Sequence, residues 1–363
     1  MKAWDGFGPR DRAPDPDRSE TLAAIEEAGI DLDPVPPGGH RHDDEGDGHG
    51  AGGEPHDADQ AAHDHAHPHV TSEPGKPPVI GIVGAGAVGT ALGVALSRGG
   101  WPVHAVASRD PARRERFRSL VAGARPFAEA TALVEEVELI IVAVPDDAIA
   151  DVAAGLRMYS GQAMVHTSGL LEADVLQPAM AAGTQIGAFH PLVAFADMER
   201  AVAALHGATI AIEGDDQLAA LLARMAEAVG GQAVRLAPGS KAAYHAGAVL
   251  AAGGFVALLD AIAELGRVAG LDEAGALAIY GPLIEQTLGN AKALGIRAAL
   301  TGPMTRGDRG TLDAHLAALR RHAPDVVPLY AAAAEREIAL AEARGTLTPE
   351  AAESLRSSLA SAV

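Results

Sequence analysis

An unbroken apolar run, Val79-Ile80-Gly81-Ile82-Val83, passes directly into Gly84-Ala85-Gly86-Ala87-Val88-Gly89 and then into an apolar helix ending near Arg98. No other stretch so narrows what this chain can fold into. A strand that is apolar at every position is buried on both faces, as in a parallel sheet. Gly-x-Gly-x-x-Gly between such a strand and a helix brings a dinucleotide's pyrophosphate to a helix N-terminus. The first glycine makes the tight turn, the second admits the pyrophosphate, and the third lets helix and strand pack closely. Gly84, Gly86, Ala87, Val88 and Gly89 are therefore expected to hold a dinucleotide.

The alternating texture continues along the chain. Val103–Ala107, Leu139–Val144, Ala163–Val165, Gln185–Phe189, Thr209–Ile212 and Gln232–Leu236 read as strands, with helical patterns between most of them, notably over Gln217–Val229. Such alternation predicts an α/β fold with a doubly wound, Rossmann-type parallel sheet. After Pro238 the strands stop. Helices are expected over Lys241–Arg267, Glu273–Ala293, Thr311–Arg321 and Val327–Arg344, which makes an all-helical second domain. Residues 242–259 are apolar enough to raise a membrane-spanning reading, but Tyr244, His245 and the small residues around them favour a buried central helix.

A different polymer precedes the first strand. Residues 1–75 hold 8 of the 15 histidines and a net charge of −13, most of the chain's −20. Their one helix-like stretch, Ser19–Gly29, is too short to stand alone, and the composition cannot bury enough apolar area to offset the entropy of ordering. The expected organisation is a disordered His/Asp/Gly/Pro-rich tail over 1–76, a dinucleotide-binding domain over 77–237 and a helical substrate and dimerisation domain over 238–363. In the tail His63, His65, His67 and His69 alternate in a way that suits loose binding of a divalent metal. No ligand geometry is specified, and a solvated linker is the simpler reading. Acidity argues against a nucleic-acid partner, and the absence of cysteine excludes disulfides and thiolate sites. No apolar segment follows Met1, so cytoplasmic residence without a membrane partner is expected.

The second strand's end bears on which dinucleotide binds. An acidic residue there would hold an unmodified ribose diol, whereas this strand ends Ala107-Ser108-Arg109, with Arg113 and Arg114 one turn on. A hydroxyl and a guanidinium suit a 2′-phosphate, so NADP is expected over NAD, with Ser108 and Arg109 as contacts. Asp110 and Pro111 read as a helix cap and first helical residue. Val144 and Pro145 close the next strand at the edge where the ribose and nicotinamide lie.

Two further strands end in His166-Thr167-Ser168-Gly169 and Phe189-His190-Pro191, and Lys241 and His245 share one helix face. Lys241, His190 and His245 are the candidate catalytic groups for moving a proton at a substrate oxygen or nitrogen. Thr167 and Ser168 are expected beside the cofactor and His166 beside the substrate. A zinc site is disfavoured, because no carboxylate or cysteine joins the histidines at ligand spacing. The loop Thr301-Gly302-Pro303-Met304-Thr305-Arg306-Gly307-Asp308 could grip a carboxylate through Thr301 and Arg306, with Asp308 orienting the guanidinium. A simple helix connection capped at Thr311 reads from the same residues.

Together the glycine motif, His166-Thr167-Ser168-Gly169, Phe189-His190-Pro191, Lys241-Ala242-Ala243-Tyr244-His245-Ala246 and Thr301-Gly302-Pro303…Arg306-Gly307-Asp308 resemble Rossmann-like proteins carrying the domain of unknown function 2520. That group is described as oxidoreductases without a settled substrate. More distantly, the chain is similar to pyrroline-5-carboxylate reductases and to β-hydroxyacid dehydrogenases of the ketopantoate reductase type. The resemblance implies a helical domain that dimerises. In β-hydroxyacid dehydrogenases a catalytic lysine is followed four residues later by Asn; Lys241 matches it, and His245 stands in the Asn position. Imine reductases place a Ser/Thr-rich loop near substrate, to which Thr301-Gly302-Pro303 corresponds. The expected activity is NADP-dependent hydride transfer to or from a small acidic carbonyl or imine compound, in a homodimer. A dinucleotide-binding regulator without turnover is the alternative.

Overall fold

The computed structural model describes residues 76–362. The tail, with Ser19–Gly29 and the histidine run, lies outside them. The first strand, β1 (Ile80–Val83), is buried at every position and leads into α1 (Ala87–Arg98). There follow β2 (Val103–Ala107), α2 (Pro111–Leu120), β3 (Arg125–Phe127), α3 (Ala130–Val134), β4 (Leu139–Val142), α4 (Asp146–Ala154), β5 (Ala163–His166) and a 3₁₀ segment (Ala173–Ala179). β6 (Gln185–Pro191), α5 (Met198–Ala204), β7 (Thr209–Glu213), α6 (Asp216–Ala228) and β8 (Gln232–Arg235) complete the sheet. The eight strands lie in the order β3-β2-β1-β4-β5-β6-β7-β8.

Both faces of this sheet are covered, as the apolar strands require. Along β4, Leu139 and Ile141 enter one core with Leu92, Phe117 and Leu218, while Ile140 and Val142 enter the other with Leu133, Ile149 and Met164. That alternation follows from the period of two along a strand. The helix α2 begins as its sequence implies. Asp110 accepts hydrogen bonds from the backbone N–H groups of Ala112 at 2.9 Å and Arg113 at 3.2 Å, with Pro111 at the first turn.

Two strands, β7 and β8, run against expectation. β7 is antiparallel to β6, pairing Ala188 with Glu213 and Pro191 with Ile210, whereas every other pair is parallel. Apolar periodicity reports that a strand exists but not its direction, so a wholly parallel sheet was more than the pattern could establish. The reversal has a consequence: it brings the end of β7, and Glu213 with it, level with the end of β5.

The chain divides into two compact units that part between Ala246 and Gly247. The strands end at Arg235, yet the first turns of the next helix, α7 (Lys241–Val249), belong to the sheet unit. A π turn over Leu250–Gly254 links it to α8 (Phe255–Val268), which is followed by α9 (Glu273–Leu294) and α10 (Ile296–Ala299). The helical unit ends with α11 (Arg309–His322), α12 (Val327–Ala343) and α13 (Pro349–Ala360), around Leu312, Leu316, Ile338, Leu355 and Met304.

The buried central helix does not materialise. Over Lys241–Val268 only Lys241, Ala261, Ala263 and Gly266 are buried, and over α9 only Ala276. Leu250, Val256, Leu283, Leu288, Leu294 and Ile296 are each more than half exposed. Apolar composition says that a face will be covered, not that the same chain covers it. By length and composition, Lys241–Val268 is the one helix among the described residues that could cross a membrane.

Candidate active site

Strand register sets the site. Val83 lies beside Ala107 and Val142, Val142 beside His166, and His166 beside Ala188. Gly84, Ser108, Val144, Thr167 and His190 therefore follow one another along a single edge, where parallel α/β sheets place their ligands.

At this edge the three motif glycines do different things. A Cβ on Gly84 would lie 2.2 Å from the Ala143 carbonyl oxygen, and one on Gly89 would lie 2.0 Å from that of Gly84. Those two positions are glycine because backbone passes against them. A Cβ on Gly86 would meet nothing within 4 Å. Gly86 opens onto free space at the N-cap of α1, whose N-terminus no side chain caps. An anionic group fits there, with the N-terminal N–H groups of Ala87, Val88 and Gly89 and the helix dipole toward it.

Around the end of β2 the arginines divide their work. Arg113 pairs with Asp110 at 3.4 Å and Arg114 donates to the Ser108 carbonyl. Arg109 is exposed and has no partner among the described residues. Ser108 Oγ accepts from the Asp110 N–H at 3.3 Å. Val144 is half-buried, and Pro145 serves as N-cap residue of α4. Ser168 is occupied within the fold: its hydroxyl donates to Asp146 at 2.8 Å and accepts from the N–H groups of Leu170 and Leu171.

His166 is wholly enclosed and both its ring nitrogens are used. Its Nε2–H donates to the Glu172 carbonyl at 3.2 Å, and its Nδ1 accepts from the Ser168 N–H at 3.1 Å. No ring nitrogen is left for the substrate contact that the sequence suggested. Burial, aided by the Lys241 charge, pushes this imidazole down to about 4. Because the folded value lies below the usual 6.5, the unfolded chain takes up the proton first, and stability falls as pH drops from 6.5 toward 4. The expected loss is about 3 kcal/mol. Urea unfolding midpoints of wild type and His166→Gln, compared between pH 7 and pH 4, would check this: the variant should lack that part of the decline.

Lys241 is 4% exposed. Its ammonium donates to the Leu171 carbonyl and to Glu213 Oε2, the latter at 3.3 Å, while Glu213 Oε1 accepts from the Ala173 N–H at 3.0 Å. Glu213 is a site residue that the sequence reading missed, since only the β6–β7 reversal brings it here. Beside the pair lies a cavity of about 370 Å³, lined by Glu172, Ala188, Ala211, Glu213, Arg235 and Lys241 among others.

His190 and His245 do meet. Their ring centroids are 5.7 Å apart at 78°, and a Cβ on Gly169 would lie 2.5 Å from His245 Nδ1 and 2.7 Å from His190 Nε2. Both atoms are buried without a partner, and so is the hydroxyl of Tyr244, whose ring stands edge-on to His190 with centroids 6.0 Å apart. Tyr244 was also missed; a phenol three residues after Lys241 on an apolar helix was the available signal. No group of three or more metal-ligating side chains occurs among the described residues.

The loop Thr301–Asp308 belongs to the helical unit. Asp308 does not orient Arg306 there; it caps α11, accepting from the Thr311 N–H at 3.0 Å and the Thr311 hydroxyl at 2.7 Å. Those bonds hold its carboxyl below the ordinary range. Thr301 and Arg306 are exposed. The cap residue is thus Asp308 and not Thr311.

A mostly parallel sheet of this order, with an open glycine at the head of its first helix, defines a Rossmann-type architecture. The chain carries a Rossmann-like domain, matched over residues 69–191, and then a domain of unknown function, DUF2520, matched over 208–337. The fold is shared with a protein from Bacteroides fragilis provisionally described as an NADP oxidoreductase, at TM-score 0.60 and 24% identity over 72% of this chain and 98% of that one. It is also shared with 1-pyrroline-5-carboxylate reductase from Streptococcus pyogenes, at TM-score 0.52 and 18% identity over 74% of this chain and 99% of that one. A reductive aminase from Aspergillus terreus, solved with NADPH and ethyl levulinate, matches at TM-score 0.56 and 20% identity over 78% and 99%. No curated protein matches the chain.

Proposed function

We propose that this protein is an NADP-dependent oxidoreductase acting on a small acidic carbonyl or imine compound or its reduced counterpart. The observation that carries the reading is the open Gly86 position at the head of α1, on the same sheet edge as the Lys241–His190–His245 cluster. Relatives in fold that are described as NADP or NADPH proteins support it. When bound, the nicotinamide supplies or accepts the hydride. The chain's own residues hold the pyrophosphate at Gly84–Gly89, hold the 2′-phosphate at Ser108 and Arg109, and line the nicotinamide half with Val144, Pro145, Thr167 and Ser168. Lys241, charged and fixed by Glu213, is the proton donor to the substrate oxygen or nitrogen, and His190 and His245 orient the substrate. His166 acts as a positioning residue for the Ser168 turn.

Titration with NADPH, followed by turnover trials with 2-oxo acids, ketopantoate and cyclic imines, tests this directly. Tight binding with no turnover would leave the regulatory reading in its place. Arg109→Ala should weaken NADPH binding roughly 10- to 100-fold, the worth of one charge-assisted contact, and leave NADH binding within twofold. Equal losses for both nucleotides would remove Arg109 from the 2′-phosphate site.

The open apolar face of Lys241–Val268 and α9 supports assembly as a homodimer, since a face of this kind on a soluble protein marks an interface. On that reading the protein is soluble and cytoplasmic, and sedimentation of the full chain checks it.

A further inference from the structure

The cavity beside Lys241 and Glu213 has a volume of about 370 Å³ and is walled by residues of the sheet unit. No residue of the glycine turn lines it, nor do Ser108 and Arg109. We propose that it is a binding site for a small aliphatic α-amino acid, with the ligand's carboxylate at Arg235 and its ammonium at Glu172. The inference goes beyond the oxidoreductase reading and needs neither cofactor nor turnover; the two share only Lys241 and Glu213.

Four charged residues line the space, two of each sign: Arg235 and Lys241, Glu172 and Glu213. Contacts among lining residues locate three of the head groups. The Lys241 ammonium meets Glu213 Oε2 at 3.3 Å, and Arg235 Nη2 donates to the Gly214 carbonyl at 3.2 Å. Lys241 and Glu213 neutralise each other, which leaves Arg235 and Glu172 to meet a ligand. Arg235 also donates to the Asp215 carbonyl at 3.2 Å and to Asp216 at 3.0 Å. Those bonds fix the guanidinium and leave at least two of its five N–H hydrogens unspent. Its ionic partner Asp216 is 95% exposed at its side chain, so water screens that pair. The Glu172 carboxylate has no hydrogen bond or ion pair among the described residues, whereas its backbone carbonyl accepts from His166.

Charge balance then selects the ligand. A plain carboxylic acid would satisfy Arg235 and bring a second negative charge to Glu172. A plain amine would do the reverse. An amino acid carries both charges and leaves neither group unmet. Lys241 has three N–H hydrogens and two partners, so one more donor is available to a ligand oxygen. The remaining wall includes Ala188, Ala211, Ile212, Leu236 and Pro238, which suit an aliphatic side chain. Small-molecule sites span roughly 300–1,000 Å³, and this cavity lies at the lower end, so the ligand is small.

Isothermal titration of the full chain at pH 7, without nucleotide, tests this with the L-forms of alanine, valine and leucine. Each is set beside the acid lacking its amino group and the amine lacking its carboxyl group; for alanine these are propionate and ethylamine. At least one amino acid should bind about tenfold or more tightly than both of its truncated forms, and this comparison needs no variant. Arg235→Gln should weaken that amino acid about tenfold. Glu172→Gln should weaken it likewise and leave the matching acid bound as tightly as before or more so. Both side chains reach solvent in part, so the two variants should unfold at the wild-type urea midpoint. The proposal is overturned when no amino acid of the panel binds, when a truncated form binds as tightly as its parent, or when either variant changes nothing. Failure to bind NADPH would strike the cofactor reading alone, since these titrations contain no nucleotide.

Discussion

Gly86→Ala should abolish high-affinity NADPH binding, by about 30-fold or more, while the urea midpoint moves by no more than about 1 kcal/mol equivalent. Gly86 has ordinary extended backbone angles, φ −78 and ψ −168, and a Cβ there meets nothing, so the fold has no objection to alanine. The cost falls on the ligand, because the methyl group occupies the approach to the N–H groups that head α1. Gly84→Ala is the contrasting variant. There φ is +110 and the new Cβ would lie 2.2 Å from a backbone oxygen, so the turn itself must move. That change should cost roughly 2–4 kcal/mol of stability whether or not cofactor is present. Fluorescence titration and urea unfolding of both variants separate the two effects. If Gly86→Ala unfolds as readily as Gly84→Ala, the open position is not a cofactor cradle.

Glu213→Ala should be the most damaging single change outside the glycine turn, destabilising the fold by about 3–5 kcal/mol. It strands the Lys241 ammonium, whose side chain is 5% exposed, with only the Leu171 carbonyl as partner. The reverse change, Lys241→Met, should cost less, since Glu213 is 34% exposed at its side chain and reaches solvent. The double variant Glu213→Leu with Lys241→Met should recover most of the loss, because a buried ion pair is replaced with apolar volume. A double-mutant cycle in urea measures the coupling. A loss under about 1 kcal/mol for Glu213→Ala would show that the pair does not fix Lys241. On the proposed function every Lys241 variant should also lose turnover, even where stability is recovered.

How much of the molecule was legible depended on distance along the chain. The glycine turn, the Asp110–Pro111 cap and the shared face of Lys241 and His245 each lie within about ten residues, and local backbone geometry suffices to read them. The short edge strand Arg125–Phe127 gave no apolar signal, being mostly exposed. The last helix was missed although Thr348-Pro349 is a sound start signal, and Thr348 does accept from the Ala351 N–H at 3.3 Å. The partners of Lys241 were beyond reach. Leu171 and Glu213 lie 70 and 28 residues away from it, and no periodicity encodes a strand's direction.

The sequence by itself determined that this chain has a Rossmann-type sheet with a glycine-rich turn at the head of its first helix. It also marked which histidines and which lysine stand at element ends. Those properties follow from side-chain size and periodicity over one or two turns of chain. Only the tertiary structure decided that His166 is fully engaged, that Glu213 pairs with Lys241, that His190 and His245 meet against Gly169, and that the Tyr244 ring stands edge-on to His190. It also left the apolar helix open where burial was expected. Hydrogen-bond partners, burial and tautomers arise from contacts between segments far apart in sequence, and strand register and the β6–β7 reversal set those contacts.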